Sequence, residues 1–317
     1  MHFFCTNQSA LSQQVSTQNK NADNIISMTD DVKKEKKTGL ILEGGAMRAL
    51  FSAGVTDVML ENGIVFDGAI GVSAGAAFGC NYKSKQNGRA IRYNLKYSHD
   101  RRYCSFFSLL TSGNLYNATF CYHTLPNDLD RFDFRTYKAN PMEFYVVATD
   151  IQSGLPLYKK LEECNFTELE WMRASASMPL VSKPVELDNH KLLDGGITDS
   201  IPLQYFESLG YNRNIVILTQ PRDFVKEKNK ALPLLKLFLS KYPNLVRAME
   251  SRHTMYNDET SYIFAKADKK EVLVICPKVP LGISRTEKDR SKLRRVYEIG
   301  RNACVEKLPE IKEFLSQ

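Results

Sequence analysis

Val65-Phe66-Asp67-Gly68-Ala69-Ile70-Gly71-Val72-Ser73-Ala74-Gly75-Ala76 is the stretch on which the reading turns. A short apolar run leads into Gly-x-Ser-x-Gly, and small residues suited to a helix follow. A serine on a tight strand-to-helix turn points its hydroxyl out of the fold. Gly71 and Gly75 tolerate strained backbone and let a ligand come close. The N–H groups that open the next helix aim at the same point, where negative charge is stabilised. A Gly/Ala-rich turn with an ordinary serine satisfies the pentapeptide equally well. Two other segments decide between these readings.

Upstream, Thr38-Gly39-Leu40-Ile41-Leu42-Glu43-Gly44-Gly45-Ala46-Met47-Arg48 reads as a strand entering a glycine pair, with a helix from Ala49 to Glu61 after it. Residues with small or no side chains can present backbone N–H groups to a ligand oxygen. Acyl transfer through a tetrahedral intermediate needs such donors, and losing one costs roughly 10²–10³ in rate. Arg48 is placed to hold the loop or to meet an anionic group. The alternative is a phosphate-binding turn or a plain loop. G-x-G-x-x-G is absent here, which argues against a dinucleotide site. Downstream, His190-Lys191-Leu192-Leu193-Asp194-Gly195-Gly196 reads as a short strand ending in Asp-Gly-Gly. A carboxylate at a strand end can act as base toward a serine on a neighbouring strand, although Asp-Gly-Gly by itself is commonly just a turn.

Taken together, the three segments resemble the patatin-like phospholipase family over about residues 38–220. The resemblance maps the family's oxyanion loop onto Gly44, Gly45, Ala46, Met47, Arg48 and Ala49. It maps the nucleophile motif onto Gly71-Val72-Ser73-Ala74-Gly75, and the catalytic Asp-Gly-Gly onto Asp194-Gly195-Gly196. Phe144 to Asp150 with Ser153-Gly154, and Arg173 to Leu180, match as well. The resemblance implies a Ser–Asp dyad hydrolase acting on acyl esters of lipids, with Ser73 as nucleophile and Asp194 as general base. It implies an oxyanion hole at Gly44, Gly45 and Ala46, with support from Arg48, Gly71, Gly75, Gly195 and Gly196. No metal or organic cofactor enters that chemistry. The expected partner is a lipid or acyl-ester substrate, with peripheral contact to a membrane surface left open.

Two residues depart from the family pattern: Ala46 and Ala49 stand where it usually has glycine. Ala46 puts a Cβ beside the expected anion site. Because natural chains seldom keep strained non-glycine residues, the expectation is a negative φ at Ala46, with its N–H already well aimed. Two other readings use the same residues. One is an α/β-hydrolase-type esterase with a Ser-His-Asp triad, for which His253 is the late histidine on offer. The other is a catalytically weak patatin-like protein that binds lipid or a protein partner.

The 317 residues suffice for one large α/β domain with appendages or for two small ones, and 43% are hydrophobic. No apolar run reaches the ~18 residues of a membrane span. Residues 1–37 are polar and read as a disordered leader, with Met28 as an alternative start for the native chain. Residues 38–225 read as the catalytic domain. Residues 226–317 read as a mostly helical region packed on it or continuing it. The seven cysteines lack C-x-x-C spacing and read as reduced thiols of a cytoplasmic protein. The net charge of +7 has a basic C-terminal share; such an excess draws proteins to anionic surfaces. No aromatic-interleaved basic stripe marks a nucleic-acid platform.

Strands are expected at Gly39–Glu43, Gly68–Val72, Glu143–Thr149, Pro156–Lys159, Lys191–Leu193, Asn214–Thr219 and Glu271–Pro277. Helices fall between them. A helical stretch from Leu232 to Tyr262 should be broken by Pro233 and Pro243, and a basic helix should run from about Thr286 to Leu308. Runs such as Ile215-Val216-Ile217-Leu218 lack alternation, so both faces should be covered. The expected fold is α/β and three-layered, a parallel-rich sheet between helix layers, with ligands at the carboxyl ends of the strands. Tyr97 to Asp133, rich in Tyr and Phe, reads either as core beneath a long loop or as an apolar wall for an acyl chain.

Overall fold

The computed structural model describes residues 36–317; the expected disordered leader lies almost wholly outside that range. The first strand, β1 (Lys37–Leu42), ends in the glycine pair. A short 3-10 turn (Ala46–Ala49) then enters helix α1 (Leu50–Glu61). The strand β2 (Gly68–Val72) leads through Ser73 into α2 (Ala74–Lys83). Next come α3 (Arg89–Tyr97), α4 (Phe106–Ser112), a π-helical stretch (Phe120–Leu129) and α5 (Phe134–Ala139). β3 (Glu143–Asp150), β4 (Leu155–Lys160) and α6 (Phe166–Ser175) follow. A small hairpin of β5 (Val185–Leu187) and β6 (His190–Asp194) precedes α7 (Leu203–Ser208) and β7 (Tyr211–Ile217). The chain ends with α8 (Leu232–Phe238), α9 (Pro243–Asp268), β8 (Val272–Ile275) and α10 (Arg290–Ser316).

The eight strands form one sheet whose hydrogen-bonded neighbours run β5-β6-β3-β2-β1-β7-β8, with β4 also on β3. β1, β2, β3, β7 and β8 are parallel, as the continuous apolar runs require. Successive residues of each strand feed opposite cores. Leu40 and Leu42, Phe144 and Val146, and Ile215 and Ile217 pack with α1, α2 and α10. Ile41, Ile70, Val72, Val147 and Val216 pack with α7 and α9. The three-layer α/β fold is therefore the observed one.

The antiparallel strands determine where the site forms. β4 pairs with β3 along Tyr145–Asp150. It therefore occupies one edge of β3, and the other edge is shared. β2 takes that edge against Glu143–Val147, and β6 takes it against Ala148–Asp150. The two strands meet head-on, with Val72 opposite Val147 and Asp194 opposite Ala148. One residue of rise, about 3.3 Å, separates those levels. All three segments follow strands, as expected, and β6 brings Asp194 to the same place while running antiparallel, from the opposite direction.

Residues Lys37–Gln317 form a single compact unit. β8 extends the sheet beyond β7, and α10 lies across α1. That crossing is close because both helices offer glycine. A Cβ on Gly54 would sit 2.1 Å from the Tyr297 carbonyl oxygen, and one on Gly300 would sit 2.0 Å from that of Phe51. Tyr297 also donates its hydroxyl to buried Asp57 at 2.7 Å.

Several local expectations are corrected. The helical stretch is broken ahead of Pro243, as expected, whereas Pro233 sits in the first turn of α8, where its missing N–H leaves no bond unmade. α10 continues past Leu308 through Pro309 to Ser316. The strand β5 is too short to show periodicity in sequence. Within the aromatic segment Tyr103, Phe120, Leu125 and Phe132 are buried in the core, while Phe106, Phe107 and Leu110 on α4 are exposed.

Candidate active site

Ser73 is held at φ 56° and ψ −124°, a left-handed conformation that side chains other than glycine adopt at a cost of roughly 1–3 kcal/mol. Three contacts maintain the turn. The Ser73 carbonyl accepts from the N–H groups of Ala76 and Ala77 at 3.0 and 3.1 Å. The Ser73 N–H donates to the hydroxyl of Ser175 at 2.9 Å. Gly75 has no Cβ, and one there would lie 2.4 Å from the Leu42 carbonyl oxygen. The end of β1 thus packs directly on the elbow.

Asp194 ends β6 and is buried, with 6% of its surface exposed. Its carboxylate accepts the Gly196 N–H at 2.8 Å and lies within hydrogen-bonding reach of the Ser73 side chain. Its own N–H donates to the Ser177 carbonyl at 2.8 Å, and its carbonyl accepts from Thr149 at 2.8 Å. The segment after α6 therefore braces both residues, Ser73 through Ser175 and Asp194 through Ser177. Burial raises the Asp194 pKa above the ordinary carboxylate value, against the opposing pull of the Ser73 hydroxyl, Arg252, the Gly196 N–H and Arg285.

The glycine loop lies beside the serine. A Cβ on Gly44 would stand 2.9 Å from that of Ser73 and 2.8 Å from the Val72 carbonyl oxygen. Among the described residues, the N–H groups of Gly44, Gly45 and Ala46 have no acceptor. Free donors converging next to a hydroxyl are what an oxyanion hole consists of. The expectation for Ala46 is overturned: its φ is +52°. The loop follows Gly45 at φ +156°, and Ala46 must turn sharply to open the 3-10 segment. Ala46→Gly should therefore relieve a left-handed alanine worth about 1–2 kcal/mol, offset by about 0.5–1 kcal/mol of glycine entropy. We expect an unchanged or raised Tm and a roughly threefold or larger rise in kcat/KM on bulky acyl esters. Melting curves and kinetics on a short and a long ester check this. A fall in Tm without kinetic gain would mean that the alanine methyl packs usefully.

Sequence reasoning missed Glu43, Arg252 and Tyr256. Glu43 is buried just before the glycine pair, accepts the Tyr256 hydroxyl at 2.9 Å and also takes the Thr219 N–H. An acid ending an apolar strand was the available clue. Arg252 donates from Nε to the Gly196 carbonyl in the Asp-Gly-Gly turn. Nothing in the α9 sequence marks that role. No histidine among the described residues lines the cavities at Ser73 or bonds to Asp194. His123 pairs with Glu170 at 3.0 Å, and His190 faces Asp150 at 3.9 Å.

Ser73 stands where two cavities meet. The inner one, of about 120 Å³, is lined by Phe78, Tyr93, Tyr122, Leu125, Phe132 and Met172, among others. The outer one, of about 420 Å³, holds the glycine loop and Asp194, and is walled by Lys226, Arg252, Tyr256 and Arg285.

The family model for patatin-like phospholipases matches residues 40–207, more than half of the chain. The chain belongs to the patatin-like phospholipase family. A second model, a domain of unknown function designated DUF6363, matches residues 242–316. Among curated proteins, the uncharacterized protein YjjU of Escherichia coli is 28% identical over 84% of this chain and 75% of its own length. Lysophospholipase NTE1 of Pyricularia oryzae is 29% identical over 55% of this chain, which spans only 11% of that much longer protein. Among solved structures, VipD from Legionella pneumophila superposes with a TM-score of 0.40 at 13% identity, over 86% of this chain and 67% of that one. No helix among the described residues is long and apolar enough to cross a membrane.

Proposed function

We propose that this chain is a serine hydrolase that cleaves acyl esters of phospholipids or lysophospholipids through an acyl-serine. The observation that carries the reading is Ser73, strained at a strand-to-helix turn, within reach of a buried carboxylate and at the mouth of an apolar cavity. Asp194 takes the Ser73 proton as Oγ attacks the ester carbonyl carbon. The carbonyl oxygen becomes an oxyanion held by the N–H groups of Gly44, Gly45 and Ala46, with Ala74 at the N-terminus of α2 as a further donor. The C–O bond then breaks, the alcohol leaves with the proton from Asp194, and the acyl group remains on Ser73. Water, deprotonated by Asp194, attacks the acyl-serine; the C–Oγ bond breaks, Asp194 returns the proton to Ser73 Oγ, and the fatty acid is released. Arg48, Gly71, Gly75, Gly195 and Gly196 keep the loops close. This sequence of steps calls on no metal or organic cofactor.

An aspartate has a reference pKa of about 3.9 and is a weak base at neutral pH. The dry setting that raises the Asp194 pKa supports its use as one. The inner cavity suits the acyl chain. Exposed Phe106, Phe107 and Leu110 on α4 support peripheral contact with a lipid surface. The free, mostly buried cysteines support a cytoplasmic location. The test is to label the purified protein with a fluorophosphonate, map the modified peptide and assay lysophospholipid turnover. Modification at Ser73 with turnover is the expected result; modification elsewhere, or none, would overturn the reading.

A further inference from the structure

The outer cavity is assembled by two parts of the chain. Ser73, Asp194 and the glycine loop lie inside the patatin-like match, whereas Lys226, Arg252, Tyr256 and Arg285 lie beyond its end. Arg252, Tyr256 and Arg285 fall in the segment matched by the domain of unknown function. Arg48 adds a fourth cation from the nucleophile side. Against these stand two carboxylates, Glu43 and Asp194, and both are already engaged. Glu43 is bonded to Tyr256 and the Thr219 N–H, and Asp194 to the Gly196 N–H, with the Ser73 side chain beside it.

Among the described residues, none of the four cations has a carboxylate at ion-pair distance, although ion pairs are plentiful elsewhere. Arg48 Nε is buried with no hydrogen-bond partner. Arg252 spends one N–H on the Gly196 carbonyl, and the Lys226 ammonium rests 4.0 Å from the centre of the Tyr256 ring. Burial above all, with the neighbouring cations adding to it, brings Lys226 down to about 8 and also lowers Arg48 and Arg252; Glu43 opposes all three shifts, and Asp194 and Glu259 oppose that of Arg252. Positive charges gathered in a partly buried chamber in excess of the carboxylates facing them, and without an ion-pair partner, are poised for an anion. The anion would sit across Ser73 from the apolar cavity. An ester bond at Ser73 would then have its chain on one side and a charged group on the other.

Building on the hydrolase reading, we propose that Lys226, Arg252 and Arg285, together with Arg48, form a subsite for the phosphate of a lipid head group. The C-terminal region thereby sets a preference for phosphate-bearing glycerolipid esters over neutral acylglycerols. A free phosphate ester shares the same chemistry, so the test includes one.

The experiment measures binding to Ser73→Ala protein, which removes turnover, by titration calorimetry below the critical micelle concentrations. The probes are oleoyl lysophosphatidate, monooleoylglycerol, glycerol phosphate and inorganic phosphate. We expect lysophosphatidate to bind at least about tenfold more tightly than monooleoylglycerol, with glycerol phosphate and inorganic phosphate binding far more weakly. Adding Lys226→Gln and Arg285→Gln should collapse that ratio toward one. Arg285 is exposed and Lys226 has no ion-pair partner, so melting temperature serves as the folding control. Arg252 is left in place because it braces the Asp-Gly-Gly turn. Equal affinity for the two lipids, a ratio that survives the substitutions, or no lipid binding would overturn the subsite. Glycerol phosphate binding as tightly as the lipid would make the site one for free phosphate esters and overturn the lipid assignment. Wild-type turnover separates the two readings. A binding preference with no hydrolysis of either lipid would sink the hydrolase and leave the subsite standing. Equal hydrolysis of both with no binding preference would do the reverse.

Discussion

Ser73→Ala is expected to abolish hydrolysis of short p-nitrophenyl esters and of lysophospholipid, together with labelling by a fluorophosphonate, while the fold persists. Nothing that holds the turn depends on the hydroxyl: the bonds to Ala76, Ala77 and Ser175 are all made by backbone atoms of residue 73. Alanine at φ 56° carries the same strain as serine, so Tm should move little. The neighbouring serines are poor substitutes. Ser175 is fully buried and accepts the Ser73 N–H. Ser177 is 3% exposed and donates to the Arg173 carbonyl at 2.8 Å. Labelling that persists in the variant, or maps to either of them, would remove Ser73 as the nucleophile.

Asp194→Asn should lower kcat by at least ~10³-fold, by analogy with the loss of about 10⁴ when a triad carboxylate becomes an amide. The amide oxygen can still accept the Gly196 N–H, so the turn keeps its shape, but no base remains for the serine proton. His123→Ala, His190→Ala and His253→Ala should each have far smaller effects. One of them matching the Asp194→Asn defect would replace the dyad with a triad. The pH profile gives a second check. Turnover needs ionised Asp194, so activity should fall with acid along a limb lying above the usual carboxylate range, since burial raises this pKa.

Stability should show the opposite sign. A carboxyl whose folded pKa is raised stabilises the fold in its protonated form. That contribution is fully present below the unfolded-state pKa and is lost as pH rises through the higher folded value. At neutral pH wild-type Asp194 is a net liability, and Asp194→Asn should melt at or above the parent temperature. Calorimetry on both proteins at neutral and acid pH tests it; a marked drop in Tm at neutral pH would mean that the charge pairs favourably with Arg252.

The C-terminal region is tied to the candidate site. Arg252 reaches the Asp-Gly-Gly turn, and Tyr256 reaches Glu43 at the root of the glycine loop. Both come from α9, beyond the patatin-like match. Removing that region would uncover β7 and strip one wall from the outer cavity.

By itself the sequence determined whatever depends on neighbours along the chain. Apolar runs bounded by glycine located the strands, Gly-x-Ser-x-Gly marked the elbow, and an acid followed by two glycines marked the end of β6. These are local rules of backbone freedom and burial, and a single chain displays them openly. The tertiary structure decided what depends on pairing between distant segments. That β6 runs antiparallel and meets β2 head-on follows from β4 occupying the opposite edge of β3. The hydroxyl of Ser175 reaches the Ser73 N–H across 102 positions of chain only because α6 packs there. The positive φ of Ala46 is imposed by the tight path from Gly45 into the 3-10 turn, and helix or strand propensity contains no trace of it. The cations on the outer wall stand on α9 and on loops whose charges look like an ordinary solvated surface. Only the packing of those elements over the sheet turns them toward one cavity.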